Sequence, residues 1–202
     1  MEMQEREIKF YIEDLEKIAE RVRLCGAELI RRRTQEHNLR LDIGDHELAR
    51  QGRLLRIRTD DRVSVTYKAN ARVEGGVIAR TEIEFNADDA RMVQKLFEAL
   101  GYRVVVTYEK YRSMYKLGDV VVVLDEMPFG NFVEIEAPNN TLIEGVSMML
   151  GLDFSKGMTI NYLGLFEALK ARMDFDFRDL TFENFKGLQV SAQDLGVQPA
   201  DK

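Results

Sequence analysis

At 202 residues, with 45% hydrophobic and 32% charged side chains, the chain can bury one sizeable core and holds no apolar run long enough to span a bilayer. Its net charge of −6 argues against a general DNA-binding role. The single cysteine rules out an internal disulfide and, with no secretory signal pattern, fits a cytoplasmic setting.

Residues 4–12 predict a strand. Within it, Glu5, Glu7 and Lys9 share one face, and Arg6, Ile8 and Phe10 the other. Ile8 and Phe10 demand burial, which leaves the three charges facing either solvent or a charged interior. Leu15, Ile18, Val22, Cys25 and Leu29 then recur at helical spacing, with Gly26 as the stop. Cys25 lies on that apolar stripe and reads as core packing. Strands follow over 37–43, 53–59 and 62–69, the last two forming a hairpin at Asp60-Asp61. Gly75-Gly76 turns the chain into a strand over 77–85. Residues 88–101 predict a helix with Met92, Val93, Leu96, Phe97 and Leu100 on one face. Three more strands cover 102–117, 120–127 and 131–137. Thr141 with Glu144 predicts a capping box for a short helix ending near Gly151, and 160–173 a last amphipathic helix. Phe175, Phe177, Phe182 and Phe185 are expected to pack on the outside. One domain is expected over 1–187, followed by a mobile polar tail over 188–202.

The chain echoes itself at an offset of 75 residues. Glu7-Ile8-Lys9-Phe10 meets Glu82-Ile83-Glu84-Phe85, Asp14 meets Asp89, Ile18 meets Val93 and Gly26 meets Gly101. A strand–helix–strand unit used twice suggests one pseudo-symmetric domain.

Strand after strand then repeats one alternation. Arg56 and Arg58 oppose Leu55 and Ile57; Ser64, Thr66 and Lys68 oppose Val63, Val65 and Tyr67. Arg80, Glu82 and Glu84 oppose Ile83 and Phe85, Lys110 and Arg112 oppose Tyr111, and Glu134 and Glu136 oppose Val133 and Ile135. Asp125 shares its parity with Val121 and Val123, so that strand fits less cleanly. One such strand is the ordinary half-buried kind. Across at least seven, a polar face made almost wholly of acids and bases points to a sheet closed on itself, with the charges inside and helices outside. Buried acids and bases together suit a polyanion that arrives with a divalent ion. With only His37, His46 and one helical cysteine, a zinc site and a Ser-His-Asp triad lack residues, and no phosphate-binding glycine loop is present.

On these residues the chain resembles the CYTH, or triphosphate tunnel metalloenzyme, superfamily. Glu5-x-Glu7-x-Lys9 is similar to its ExExK signature, and the segments around Arg56-x-Arg58, Lys68, Arg80, Lys110-x-Arg112, Asp125 and Glu134-x-Glu136 stand in the family's order over about residues 4–170. The resemblance implies an α+β fold: an eight-stranded closed antiparallel tunnel with a charged lumen and helices outside. It implies Mg2+ or Mn2+ on Glu5, Glu7 and Glu136, with Asp125 and Glu134 supporting a second ion. It implies phosphate contacts from Lys9, Arg56, Arg58, Lys68, Arg80, Lys110 and Arg112, and catalysis around Lys9, Asp125 and Glu134. Glu82 and Glu84 are expected to hold the basic residues in place. Departures lie at Leu39-Arg40-Leu41-Asp42, where many members carry aromatics, and at Asn161-Tyr162, where many carry Ser-Tyr.

The expected activity is metal-dependent hydrolysis of inorganic triphosphate or of a small organic triphosphate such as ATP or thiamine triphosphate. The alternatives are a class IV adenylyl cyclase making cyclic AMP and pyrophosphate, and a non-catalytic polyphosphate- or nucleotide-binding module. Neither a membrane nor DNA is expected as a partner, and a homodimer is left open.

Overall fold

The computed structural model describes residues 3–201, with side chains from Arg6 to Asp201. Eight strands follow the expected order: β1 (Met3–Ile12), β2 (Glu28–Ile43), β3 (Leu54–Thr59), β4 (Val63–Glu74), β5 (Val77–Ala87), β6 (Tyr102–Leu117), β7 (Val120–Met127) and β8 (Gly130–Glu136). All pairings are antiparallel, and the ring closes in the order β1-β5-β4-β3-β2-β6-β7-β8. Closure leaves no sheet edge along the ring and turns one face of every strand into a lumen.

The helices α1 (Leu15–Leu24), α2 (Glu47–Arg50), α3 (Ala90–Ala99), α4 (Asn140–Met149), α5 (Tyr162–Lys170) and α6 (Ala192–Leu195) lie outside. Ile18 and Val22 of α1 and Ile143 and Val146 of α4 bury Ile8, Phe10, Val122, Leu124, Val133 and Ile135 from the outer faces of β1, β7 and β8. Val93 and Phe97 of α3 cover Leu41, Leu55, Ile57 and Val65. The rest of the α3 stripe is wider than the surface beneath it, and Met92, Leu96 and Leu100 are exposed.

The internal echo is visible in the backbone. β1-α1-β2 and β5-α3-β6 are both strand–helix–strand units. Asp14 and Asp89 cap their helices by accepting backbone N–H groups. Gly26 (φ 79°) and Gly101 (φ 93°) follow those helices in conformations that only glycine adopts cheaply.

Three local expectations need correction. α1 stops at Leu24, so Leu29 belongs to β2 rather than to the helical stripe. α4 begins one residue earlier than Thr141, and its cap is Asn139, whose side chain accepts from the Leu142 N–H; Thr141 already lies inside the first turn. The tail beyond Leu188 is docked. The Ala200 N–H donates to the Tyr11 carbonyl at 3.0 Å, and the Asp201 carboxylate accepts from the N–H groups of Glu13 (3.1 Å) and Asp14 (2.9 Å).

The whole C-terminal segment extends strand edges in this way. Where β1 outruns β5, Lys9 and Met158 exchange backbone hydrogen bonds of 3.1 and 2.8 Å. Where β6 outruns β7, Leu180 bonds Thr107 and Glu109, both at 2.9 Å. Between these edges lies an aromatic cluster. Phe175 and Phe177 stack at 4.3 Å, and Phe185 touches Phe129, Phe166 and both of them. Tyr11, Phe132 and Tyr162 belong to the same buried cluster, and Tyr11 and Phe132 point inward with Lys9 and Glu134. The Phe-rich extension therefore covers one end of the ring. Phe182 alone among its four phenylalanines packs apart, on Tyr111 at 5.1 Å.

Replacing Asp201 by Ala removes a carboxylate that satisfies two backbone donors at the entry to α1. The expected loss is about 1–2 kcal/mol, read as a lower urea midpoint. An unchanged midpoint would show that the tail adds nothing to stability.

Candidate active site

Cross-strand register decides which side chains share the lumen, because paired residues face the same way. Glu7 pairs with Glu136, Lys9 with Glu134 and Tyr11 with Phe132. Asn38, Arg58 and Ser64 form one row, Arg40, Arg56, Thr66 and Glu84 another, and Lys68 pairs with Glu82. On the far side Glu36 pairs with Lys110, and Arg112 with Asp125. All the inward charges predicted from alternation lie on this one surface. For Glu5 only the backbone, paired with Arg80, is described; its side chain lies outside the described residues.

The structure brings three of the predicted acids together. Glu7, Glu134 and Glu136 each offer a carboxylate oxygen, and these oxygens lie within 4.8 Å of one another. A donor set made only of carboxylates fits a hard divalent ion such as Mg2+ or Mn2+ and would suit zinc poorly. Each member is also held by a base or lies beside one. Arg80 bonds Glu7 at 2.7 Å; Lys9 pairs with one oxygen of Glu134, and Arg112 with the other at 2.6 Å. Burial pushes the Glu134 carboxyl up, but Lys9, Arg112 and Lys110 outweigh it and hold it well below the usual carboxylate range.

Asp125 does not join that group. It is fully buried, and its oxygens are taken up by Arg112 at 2.7 and 2.5 Å, Lys110 at 3.0 Å and the Tyr162 hydroxyl at 2.7 Å. This geometry places Asp125 as an anchor for two of the bases rather than beside the acid cluster. Burial, and then Asp125, push the Tyr162 phenol well up, so its hydroxyl remains a donor. The Tyr162 ring lies 4.2 Å below the Lys9 ammonium and 5.3 Å from that of Lys110. Tyr162 thus links the aromatic end of the ring to the charged interior.

The remaining bases are also met by acids. Glu84 takes Arg58 at 3.2 Å and the Thr66 hydroxyl at 2.8 Å, and Glu82 takes Lys68 at 3.0 Å. Both glutamates therefore hold bases in place, as expected.

Sequence reasoning missed Glu36, whose carboxylate is fully buried between Arg31 (3.3 Å), Lys110 (3.6 Å) and Arg58 (3.8 Å). Burial alone would raise its pKa; Lys110, Arg112, Arg58 and Arg56 outweigh burial and bring it to about 2. Its signal was available: Glu36, Asn38 and Arg40 alternate with outward residues on β2. The predicted strand began at His37, one residue too late to include Glu36.

With this geometry in hand, comparison with known proteins gives a consistent answer. A tunnel lined by interlocked acids and bases, with one carboxylate trio, defines a class of proteins that bind anionic, metal-carrying ligands. The CYTH domain matches residues 3–141, and the chain belongs to that family. A protein of Methanocaldococcus jannaschii, provisionally named as an adenylate cyclase, is 29% identical over 174 residues, spanning 81% of this chain and 98% of the relative. A similarly named Vibrio parahaemolyticus structure superposes with a TM-score of 0.71 at 19% identity, covering 83% of this chain and 99% of that one. A Hippeastrum protein shares the fold with a TM-score of 0.59 at 17% identity, over 82% of this chain and 96% of that one; it is described as an adenylyl cyclase homologue with dominant triphosphatase activity. CYTH proteins are generally enzymes that act on triphosphates with divalent metals. Among the described residues no helix is long and apolar enough to cross a membrane.

Glu36 gives a pH prediction. Its folded pKa is depressed, so its contribution is full above about pH 4.5 and is lost as the pH falls towards about 2. That contribution is on the order of 3 kcal/mol. Glu36→Gln should flatten this part of the stability–pH curve and lower stability at pH 7. Parallel curves for the two proteins below pH 4.5 would remove Glu36 as a source of acid sensitivity.

Proposed function

We propose that the protein is a divalent-metal-dependent triphosphatase, cleaving inorganic triphosphate or a small organic triphosphate inside the tunnel. One observation carries the reading: the carboxylates of Glu7, Glu134 and Glu136 converge within 4.8 Å, on the same inner surface as Arg56, Arg58, Lys68, Lys110 and Arg112. Glu7, Glu134 and Glu136 would hold Mg2+ or Mn2+, and Glu5, on the same face of β1, is assigned to the same group. When bound, such an ion neutralises phosphate charge and acidifies a water.

The chain's own residues do the rest. Arg56, Arg58, Lys68, Arg80, Lys110 and Arg112 bind phosphate oxygens and stabilise charge that grows on the leaving group. Asp125 and Tyr162 fix Arg112 and Lys110, so these bases meet the phosphates already oriented. Lys9, drawn from Glu134, turns its ammonium to the phosphate that is transferred. Binding is an exchange of partners. The lumen's acids pass from bases to the cation, and the bases pass from acids to phosphate. Neither ligand alone satisfies both sides.

The names of the relatives favour a second reading, a class IV adenylyl cyclase, in which the ribose 3′ hydroxyl replaces water as nucleophile. Hydrolysis makes fewer demands, because water needs no near-attack arrangement of a ribose. A purely binding module fits less well, since it has no need of a carboxylate trio beside the bases. Supplying ATP and inorganic triphosphate separately, with Mg2+ and with Mn2+, distinguishes these readings by product. Orthophosphate without cyclic AMP is expected; cyclic AMP and pyrophosphate from ATP, with triphosphate intact, would establish the cyclase.

Glu7→Gln keeps shape and removes one charge. Turnover should fall by at least about a hundredfold while the protein stays folded. Near-normal turnover with unchanged metal dependence would remove Glu7 from the site. Triphosphate with Mg2+ should raise the melting temperature by more than the two separate shifts combined, and Arg58→Ala should shrink that rise. The exchange of partners is wrong if the shifts are merely additive.

A further inference from the structure

The lumen is not charged all the way round. On β7, Val121 pairs with Glu136 and Val123 with Glu134, so two valines occupy the inner face directly beside the carboxylate trio. The row of Glu134 and Val123 continues to Met114 on β6 and then to Arg31 on β2. An apolar sector therefore runs from the acids towards β2, while β3, β4 and β5 carry the bases. The alternation that makes every other strand charged inside fails here, and phosphate binding gives no reason for it.

The row ends at a cavity of about 330 Å3 lined by Ile30, Arg31, Asp60, Asp61, Arg62 and Met114. That volume lies within the usual range of small-molecule sites, about 300–1,000 Å3. Ile30 is 46% exposed and Met114 half-buried, so the cavity offers two apolar surfaces beside two carboxylates. Arg31 ties it to the tunnel by pairing with Asp60 and with the buried Glu36. Just inside, Asn38 is fully buried with neither amide atom hydrogen-bonded, and Glu36 leaves Oε2 without a hydrogen bond. From Glu134 to Met114 is two strand spacings, about 10 Å along the wall. A ribose and its first phosphates bridge such a distance.

We propose that this cleft seats the base of a nucleoside triphosphate. The base lies against Ile30 and Met114, and Asp60 and Asp61 accept from an exocyclic amine, which selects an amino-bearing base. The inference rests on the reading of the lumen as a phosphate site and goes beyond it, because inorganic triphosphate gains nothing from Ile30 or Met114. The substrate class is thereby an organic triphosphate, whichever nucleophile attacks it.

The test uses hydrolysis-resistant imido analogues of ATP and of inorganic triphosphate, titrated with Mg2+ by calorimetry into the full chain and into Ile30→Asp and Met114→Ala. Ile30 is exposed, so its variant isolates the cleft from any folding defect at Met114. The expected result is about tenfold weaker binding of the ATP analogue to Ile30→Asp, with binding of the triphosphate analogue unchanged. Equal losses for both ligands, or no loss for either, overturn the assignment. If the wild type binds the triphosphate analogue and not the ATP analogue, the base seat fails and the phosphate site stands. If it binds neither, the phosphate site fails and the base seat with it.

Discussion

A charge taken out of water persists only where an opposite charge meets it, and this rule orders the inside of the protein. Glu134 lies between Lys9 and Arg112, Asp125 takes Arg112, Lys110 and Tyr162, and Glu36 takes Arg31, Arg58 and Lys110. Each acid is shared by several bases, and each of these bases reaches more than one acid or ring. Such a network costs much to desolvate, and its value for stability is modest next to an apolar core. What it supplies is a set of ions held at fixed positions in a low dielectric, where each acts strongly on a ligand. The apolar cores under α1, α4 and α3 offset that cost from outside the ring.

The same rule explains the C-terminal segment. β1 and β6 both outrun a neighbour, and their open edges would admit water beside Lys9 and Tyr108. Met158, Leu180 and Ala200 satisfy those edges, and the aromatic cluster of Phe175, Phe177, Phe185, Phe166 and Phe129 seals the space behind them. Tyr108 lies at this seam: burial raises its phenol, yet Arg56 and Lys110 bring it below its ordinary value. Sealing one end keeps the interior dry and leaves ligands to enter from elsewhere along the ring.

The strands and the inward charges were legible because a closed sheet obeys a period of two and the turns carry glycine or aspartate pairs. Three things were not. Asp125 and Glu134 look equivalent in the sequence, but Asp125 faces Arg112 across β6 whereas Glu134 faces Lys9 across β1, and only register reveals this. Glu36 was hidden by a strand start set one residue late. The docking of 188–201 was hidden because its anchors are single residues, Ala200 and Asp201, whose partners lie nearly two hundred positions away; a polar composition gives no hint of them. The exposed half of α3 shows the opposite failure, since a clean helical stripe does not say how much of it the sheet can cover.

The two halves of the internal echo show how one scaffold supports two uses of a carboxylate. Glu7 and Lys9 on β1 occupy the places of Glu82 and Glu84 on β5, at the start of matching strand–helix–strand units. Their neighbours across the ring differ. Glu7 pairs with another acid, Glu136 on β8, and two carboxylates side by side repel unless a cation joins them. Glu82 pairs with Lys68, and Glu84 with Thr66 beside Arg58, so both are already satisfied by what they hold. The backbone offers both pairs the same inward direction. The residue on the adjacent strand decides whether the carboxylate seeks a metal or steadies a base.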